Sequence, residues 1–331
     1  MNHRRIYLIL PLLLMGPIAS SLFGCASESN YKATNPSGEP GQVLVVAGAD
    51  LSRTPLARAL DSTLGGEYPF IPQVEPTFDL IYAPNNKFTG VLQAFRNILL
   101  IRPDSATSEC KFSTARDLWA SSQLVVVCSG PSLQAMADFV GANGQQLCGM
   151  FTQMEMDRLK DNLRATNSKE LTDYLHRKYG LRMLVPGNMS RRVNAEHFSW
   201  ISLETKEISQ SLLVYTTPYR GHWPTRDEYV AQRDSVTKKW LPGPVEGSYM
   251  IVSPVLPPEL TLMQAGRDTV LRVRGFWDMH GYTMGGSFIG LTARSPQGDS
   301  LITTEAFLYA PSKHKRNYMR ELEAIVRTRL N

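Results

Sequence analysis

The sequence lacks the signatures that most directly announce a reaction. No Gly-x-Gly-x-x-Gly follows the first apolar strand, Val43-Leu44-Val45-Val46-Ala47, and no Gly-Lys-Ser/Thr occurs. Neither a dinucleotide fingerprint nor a P-loop is therefore present to cradle phosphates. There is no Gly-x-Ser-x-Gly nucleophile elbow. Cysteine is scarce, 4 in 331 residues, and no Cys-x-x-Cys or Cys/His spacing suggests zinc. His176, His197 and His222 are scattered and support no metal site, so neither a cofactor nor a metal is expected. An excess of one charge is missing too: 35 Lys+Arg against 30 Asp+Glu leave +5. That is no nucleic-acid footprint, and no nucleic-acid partner is expected. Beyond the N-terminal stretch, nothing approaches the ~18 consecutive apolar residues of a membrane helix.

What is present begins at Met1. Arg4 and Arg5 precede an apolar run from Ile6 to about Ile18, then Ser20-Ser21-Leu22-Phe23-Gly24-Cys25. The run is short of the roughly 20 residues of a bilayer span, and Pro11, Gly16 and Pro17 weaken a permanent helix. Residues 1–24 therefore read as a signal peptide. Leu22, Gly24 and Cys25 resemble a bacterial lipobox, with Phe23 departing from its usual small residue. The resemblance implies a diacylglycerol on the Cys25 sulfur, cleavage before Cys25, and acylation of the new amine. One acyl chain binds only marginally whereas two or three hold, so the protein is expected to sit on the membrane by its anchor. Loss of Arg4 and Arg5 with the leader leaves 33 basic and 30 acidic residues.

Residues 25–40, polar and turn-forming, read as the acylated cysteine and a flexible tether. Only Glu28 is acidic near the cysteine, which favours a periplasm-facing position in the outer membrane or cell envelope. Cys110, Cys128 and Cys148 remain. Three is odd, so at most one disulfide forms; Cys128 closes an apolar run and reads as core, and a Cys110–Cys148 bridge is one option.

Residues 41–165 alternate apolar runs at 42–47, 77–83, 95–101 and 123–128 with helical patterns from Ser52 and Ser132. A boundary falls near Ala165-Thr166-Asn167-Ser168. Residues 166–331 open with a helix at 169–179, then strands at 181–185, 198–203 and 211–215. A helix at 226–240, four further strands and a last helix at 313–329 follow. The class is α+β: two α/β-sandwich halves, each compatible with a ferredoxin-like arrangement, behind a signal peptide and short tether.

Two stretches are dense in aromatics, glycines and titratable groups: Arg233 to Met250, and Gly275-Phe276-Trp277-Asp278-Met279-His280-Gly281-Tyr282-Thr283-Met284-Gly285-Gly286-Ser287-Phe288. With Ser37-Gly38, Phe95-Arg96-Asn97-Ile98-Leu99, Tyr309-Ala310-Pro311 and Lys315-Arg316-Asn317-Tyr318, they resemble a Bacteroidetes lipoprotein family, "domain of unknown function 4837", over nearly the whole mature chain. The resemblance implies an envelope lipoprotein and supplies no catalytic residue.

The residues themselves leave several readings. Asp278 and His280, two apart on a strand, suit an acid/base pair walled by Trp277 and Tyr282. The same stretch also reads as a glycine-rich turn with Trp277 in the core. Arg96, Asn97, Arg233 and Trp277 are ligand-binding candidates, although Asp234 and Lys238 have the spacing of a helical ion pair. Arg191-Arg192 and Lys313 to Arg316 are either solvated faces or contacts to anionic headgroups. Three functions compete. The favoured one is a non-catalytic binding or structural module, partnered by the membrane through Cys25 and by an envelope protein or glycan. The others are an envelope hydrolase or transferase using Asp278 and His280, and a nutrient-binding accessory with an aromatic platform of Trp200, Trp223 or Trp277.

Overall fold

The computed structural model describes residues 35–266 and 268–330. The leader, Cys25 and the first part of the tether lie outside them. The first sheet contains β1 (Gln42–Ala47), β2 (Asp79–Pro84), β3 (Asn97–Pro103), β4 (Lys111–Arg116) and β5 (Leu124–Gly130). Their order is β2-β1-β3-β5-β4. All neighbours are parallel except β4, which pairs antiparallel with β5. The continuous apolar run of β1 follows from this, because a central parallel strand is covered on both faces. Val43, Val45 and Leu99 pack under helices α1 (Pro55–Thr63), α2 (Leu133–Ala142) and α3 (Gly144–Thr166), while Leu44, Val46 and Ile98 pack under Phe88 and Leu92.

The second half comprises helix α4 (Lys169–Tyr179), strands β6 (Ser190–Ala195), β7 (Phe198–Glu204) and β8 (Ser209–Pro218), and helix α5 (Arg226–Trp240). Strands β9 (Tyr249–Val252), β10 (Glu259–Ala265), β11 (Asp268–His280), β12 (Tyr282–Arg294) and β13 (Ser300–Tyr309) and helix α6 (Arg316–Arg327) complete it. Its sheet is antiparallel throughout, in the order β10-β11-β12-β13-β8-β7-β6, with β9 on the far end of β11. Leu212, Val214 and Ile302 face α4 and α6, whereas Leu213, Tyr215 and Phe307 face α5. The α+β class and the two-sheet division thus hold, but neither strand order is ferredoxin-like: the first sheet is mostly parallel and the second runs to eight strands.

Helix α3 belongs to both cores. Leu147, Phe151 and Met154 on its first turns pack on the first sheet, and Met156 and Leu163 pack with the second. A 23-residue helix spans about 35 Å, enough to reach both. The halves also meet at the start of α6. The Glu75 carboxylate accepts from the backbone N–H groups of Lys315 (2.6 Å) and Arg316 (3.0 Å). It caps orphan donors of a helix some 240 residues away. Ser37 to Pro40, read from sequence as tether, contact the body: Ser37 Oγ donates to the Val91 carbonyl at 2.6 Å and the Pro40 carbonyl accepts from Asn317.

Local differences from the sequence expectation have physical causes. Thr54, not Ser52, caps α1, accepting from the Ala57 N–H at 3.2 Å. Leu181, Met183 and Val185 are buried, but the segment forms no strand; the Leu184 and Val185 N–H groups go instead to Thr328 Oγ1 and Asn167 Oδ1. Cys110, Cys128 and Cys148 are all free thiols. Burial, and then neighbouring Cys110, push the Cys128 thiol up to about 12, leaving it protonated and unreactive at neutral pH.

Candidate functional site

The 275–288 stretch forms the β11–β12 hairpin. A bulge sits between Asp278 and Met279, and Gly281 turns the chain at φ +78°. Register places Trp277 opposite Gly286 and Asp278 opposite Gly285. Trp277 is wholly buried, its indole N–H donating to the Leu308 carbonyl at 3.3 Å and its ring 5.5 Å from Phe307. A Cβ on Gly286 would come within 2.1 Å of that same carbonyl and 3.0 Å of the indole nitrogen. Gly286→Ala is therefore expected to cost about 1–3 kcal/mol by overpacking. Its urea midpoint falls below wild type while Gly281→Asn, which can take the left-handed turn, stays close to it; equal midpoints for Gly286→Ala and wild type would refute the account.

The acid/base candidates share a strand face but not a task. Asp278 Oδ2 accepts from the Ser253 hydroxyl at 2.6 Å. His280 is exposed and lies against the Tyr249 ring, centroids 4.8 Å apart, with Lys238 Nζ 4.6 Å over that ring from the other stretch. The remaining candidates are committed elsewhere. Arg96 makes a two-pronged contact to Glu155 (3.0 and 3.1 Å), to which Asn97 also donates at 2.7 Å. Arg158 joins the same carboxylate at 2.7 Å and reaches the Arg96 carbonyl at 2.6 Å. Burial, partly offset by Glu155, lowers the Arg158 guanidinium to about 10.

Arg233 lies fully buried on the sheet, with Nε and Nη2 on Glu305 at 2.8–3.1 Å. The Tyr215 and Tyr229 hydroxyls donate to Glu305 Oε2 at 3.4 and 3.3 Å, and the Phe288 ring lies 4.2 Å beneath the guanidinium. Burial, and then the Glu305 charge, hold the Tyr215 hydroxyl well above its usual value, so it stays a donor. The carboxylates Glu155 and Glu305 organise these clusters, and sequence reading singled out neither. Glu305 left a signal: a charge in mid-strand, inside Leu301-Ile302-Thr303-Thr304-Glu305-Ala306-Phe307-Leu308.

What lies open in this region joins an apolar wall to a polar rim. A cavity of about 450 Å³ is walled by Trp200, Met250, Met279, Met284, Phe307 and Tyr309 and by the β7–β8 turn. A neighbouring cleft of about 470 Å³ shares Met279, Met284 and Tyr309 and adds Asp278, Tyr282 and Thr283. Trp200 and Trp223 are half-buried against the core that also covers Trp277, so the three tryptophans form no open platform. The basic runs meet acids: Arg192–Glu204 at 3.4 Å, Lys313–Glu207 at 2.9 Å and Arg316–Asp79 at 2.8 Å. Among the described residues, no group of His, Cys, Asp and Glu is placed to hold a metal, and no helix is long and apolar enough to cross a membrane.

Residues 168–328 match the family model described as "Domain of unknown function (DUF4837)", and residues 36–164 match "Domain of unknown function (DUF8532)". The likeness read over nearly the whole mature chain therefore divides: Ser37-Gly38 and Phe95 to Leu99 fall within the second model's span. No curated protein matches the chain. Among solved structures, the chain is similar to the crystal structure of LpqN, involved in cell envelope biogenesis of Mycobacterium tuberculosis, at 11% identity and TM-score 0.26 over 44% of this chain and 79% of that one. The second half of the chain is thus similar to the DUF4837 family and the first half to the DUF8532 family.

Proposed function

We propose that this protein is a non-catalytic binding module of the cell envelope, held by acyl chains on Cys25 and facing the periplasm. One arrangement supports binding. The Met279–Met284–Tyr309 groove stands open at the end of the eight-stranded sheet, while Arg96, Arg233, Asp278 and His280 are each engaged with separate structural neighbours. Methionines beside aromatic rings adapt to an apolar segment of varied shape, which suits a partner protein. An acid/base reaction would ask Asp278 and His280 to share a proton; their contacts are Ser253 and Tyr249 instead.

A photo-crosslinking residue at Met284 tests the groove in envelopes of the producing cell. A discrete adduct, lost when Met279→Arg blocks the groove, is expected; a smear insensitive to that change would overturn the reading. The anchor has its own test. Metabolic labelling with an alkyne fatty acid marks the wild type and not Cys25→Ala, and the variant leaves the membrane fraction because no acyl chain remains to hold it. Retained label in the variant would sink the lipid assignment.

A further inference from the structure

A second cavity, of about 510 Å³, lies where the two halves meet and takes no part in the groove. Leu159 and Leu163 of α3, Met189, Leu203 and Ile325 of α6 make its apolar wall. The Pro186–Met189 turn that forms one side is fixed to the end of α3: Gly187 N–H donates to the Thr166 carbonyl at 2.8 Å, and Asn167 bridges to Pro186. Polar side chains, Asn162, Thr166, Asn188, Gln210 and Glu321, stand around the rest. Gln210 is mostly buried and spends its Nε2 on Glu321 Oε2 at 3.1 Å, which leaves its carbonyl oxygen as an acceptor. Glu321 is exposed, and no Lys, Arg or His stands within ion-pair distance of it among the described residues. A carboxylate with no cationic partner thus stands beside an apolar wall.

We propose that this cavity binds a small amphiphile whose apolar chain ends in a primary ammonium group. The chain fills the Leu159–Leu163–Ile325 wall, since a cavity of this size accepts a ligand of ordinary small-molecule dimensions. The ammonium carries three donors and no acceptor. It meets the Glu321 carboxylate, the Gln210 carbonyl and a side-chain amide oxygen. A carboxylate head would face Glu321 with like charge, and a neutral hydroxyl would gain only one weak bond. The site is independent of the anchor and of the groove, so its failure would leave both proposals standing.

Calorimetric titration of the full-length mature chain with decylammonium, decanol and decanoate tests this. Decylammonium is expected to bind one to one, roughly ten- to a hundredfold tighter than decanol, as a charge-assisted hydrogen bond allows. Decanoate should bind no better than decanol. Glu321→Gln removes the preference and leaves decanol unchanged. Leu159→Trp, filling the cavity, abolishes binding of both; Asn188→Trp blocks the mouth if the first variant fails to fold. Equal affinity for the three probes, or decylammonium binding that survives both Glu321→Gln and the cavity-filling variant, would overturn the assignment.

Discussion

Glu305→Ala is expected to destabilise the protein by about 3–5 kcal/mol, because it strands the buried Arg233 charge. It also leaves the Tyr215 and Tyr229 hydroxyls without their acceptor. The melting temperature should fall on the order of 10 °C. Arg233→Met alone should cost as much, for the mirror reason: Glu305 then keeps only two tyrosine donors. Arg233→Met combined with Glu305→Leu should recover most of the loss, since well-packed apolar side chains often replace a buried pair without penalty. The tyrosines decide how complete the recovery is, and adding Tyr215→Phe and Tyr229→Phe should close the gap. A double variant no more stable than either single would contradict this account. So would an Arg233→Met protein as stable as wild type, which is what an arginine held for a soluble ligand would give.

The second large effect lies in the first half. Glu155 is 2% exposed and carries Arg96, Asn97 and Arg158 together. Glu155→Ala uncovers two guanidinium groups at once and should again cost about 3–5 kcal/mol. Arg96→Met should cost distinctly less, since Glu155 keeps Arg158 and Asn97. Denaturant unfolding of both variants separates the cases. If Arg96→Met proves the more damaging, Glu155 is not the hub.

These clusters mark the limit of what the sequence discloses. The apolar runs of β1, β3 and β5 were legible because strands covered on both faces need no polar alternation. The helices at 169–179 and 226–240 were legible through their stops, Gly180 and Pro242-Gly243-Pro244; their starts are held by the Ser168 cap and the Thr225/Glu228 capping box. Strand β4, Lys-Phe-Ser-Thr-Ala-Arg, was not legible: it is a sheet edge, mostly exposed, and its pairing leaves no apolar pattern. Leu181 to Val185 misled in the opposite sense: Leu181, Met183 and Val185 are buried, while the Leu184 and Val185 N–H groups go to side chains. The candidate site suffered from the same ambiguity. Arg96, Asn97 and Arg233 stood out as chemistry-bearing residues in apolar surroundings, and burial alone does not distinguish a ligand contact from an internal pair. The partners that decide, Glu155 and Glu305, lie 59 and 72 residues away. Trp277 was correctly open to a core reading, because a tryptophan facing a Gly-Gly pair across a hairpin fits where no side chain competes for space.

The Glu75 contact sets an order in time. Its two acceptor bonds go to the first residues of the last helix, which are synthesised some 240 residues later. At ~5–20 residues per second, that interval is roughly 12–48 s. Throughout it the first half holds a carboxylate meant for burial and an α3 surface with Met156 and Leu163 uncovered. The first half is therefore finished by the end of the chain. Proteins cut short before α6 should be cleared as incomplete rather than persist as working fragments, and release of an intact chain becomes the step that makes both halves durable.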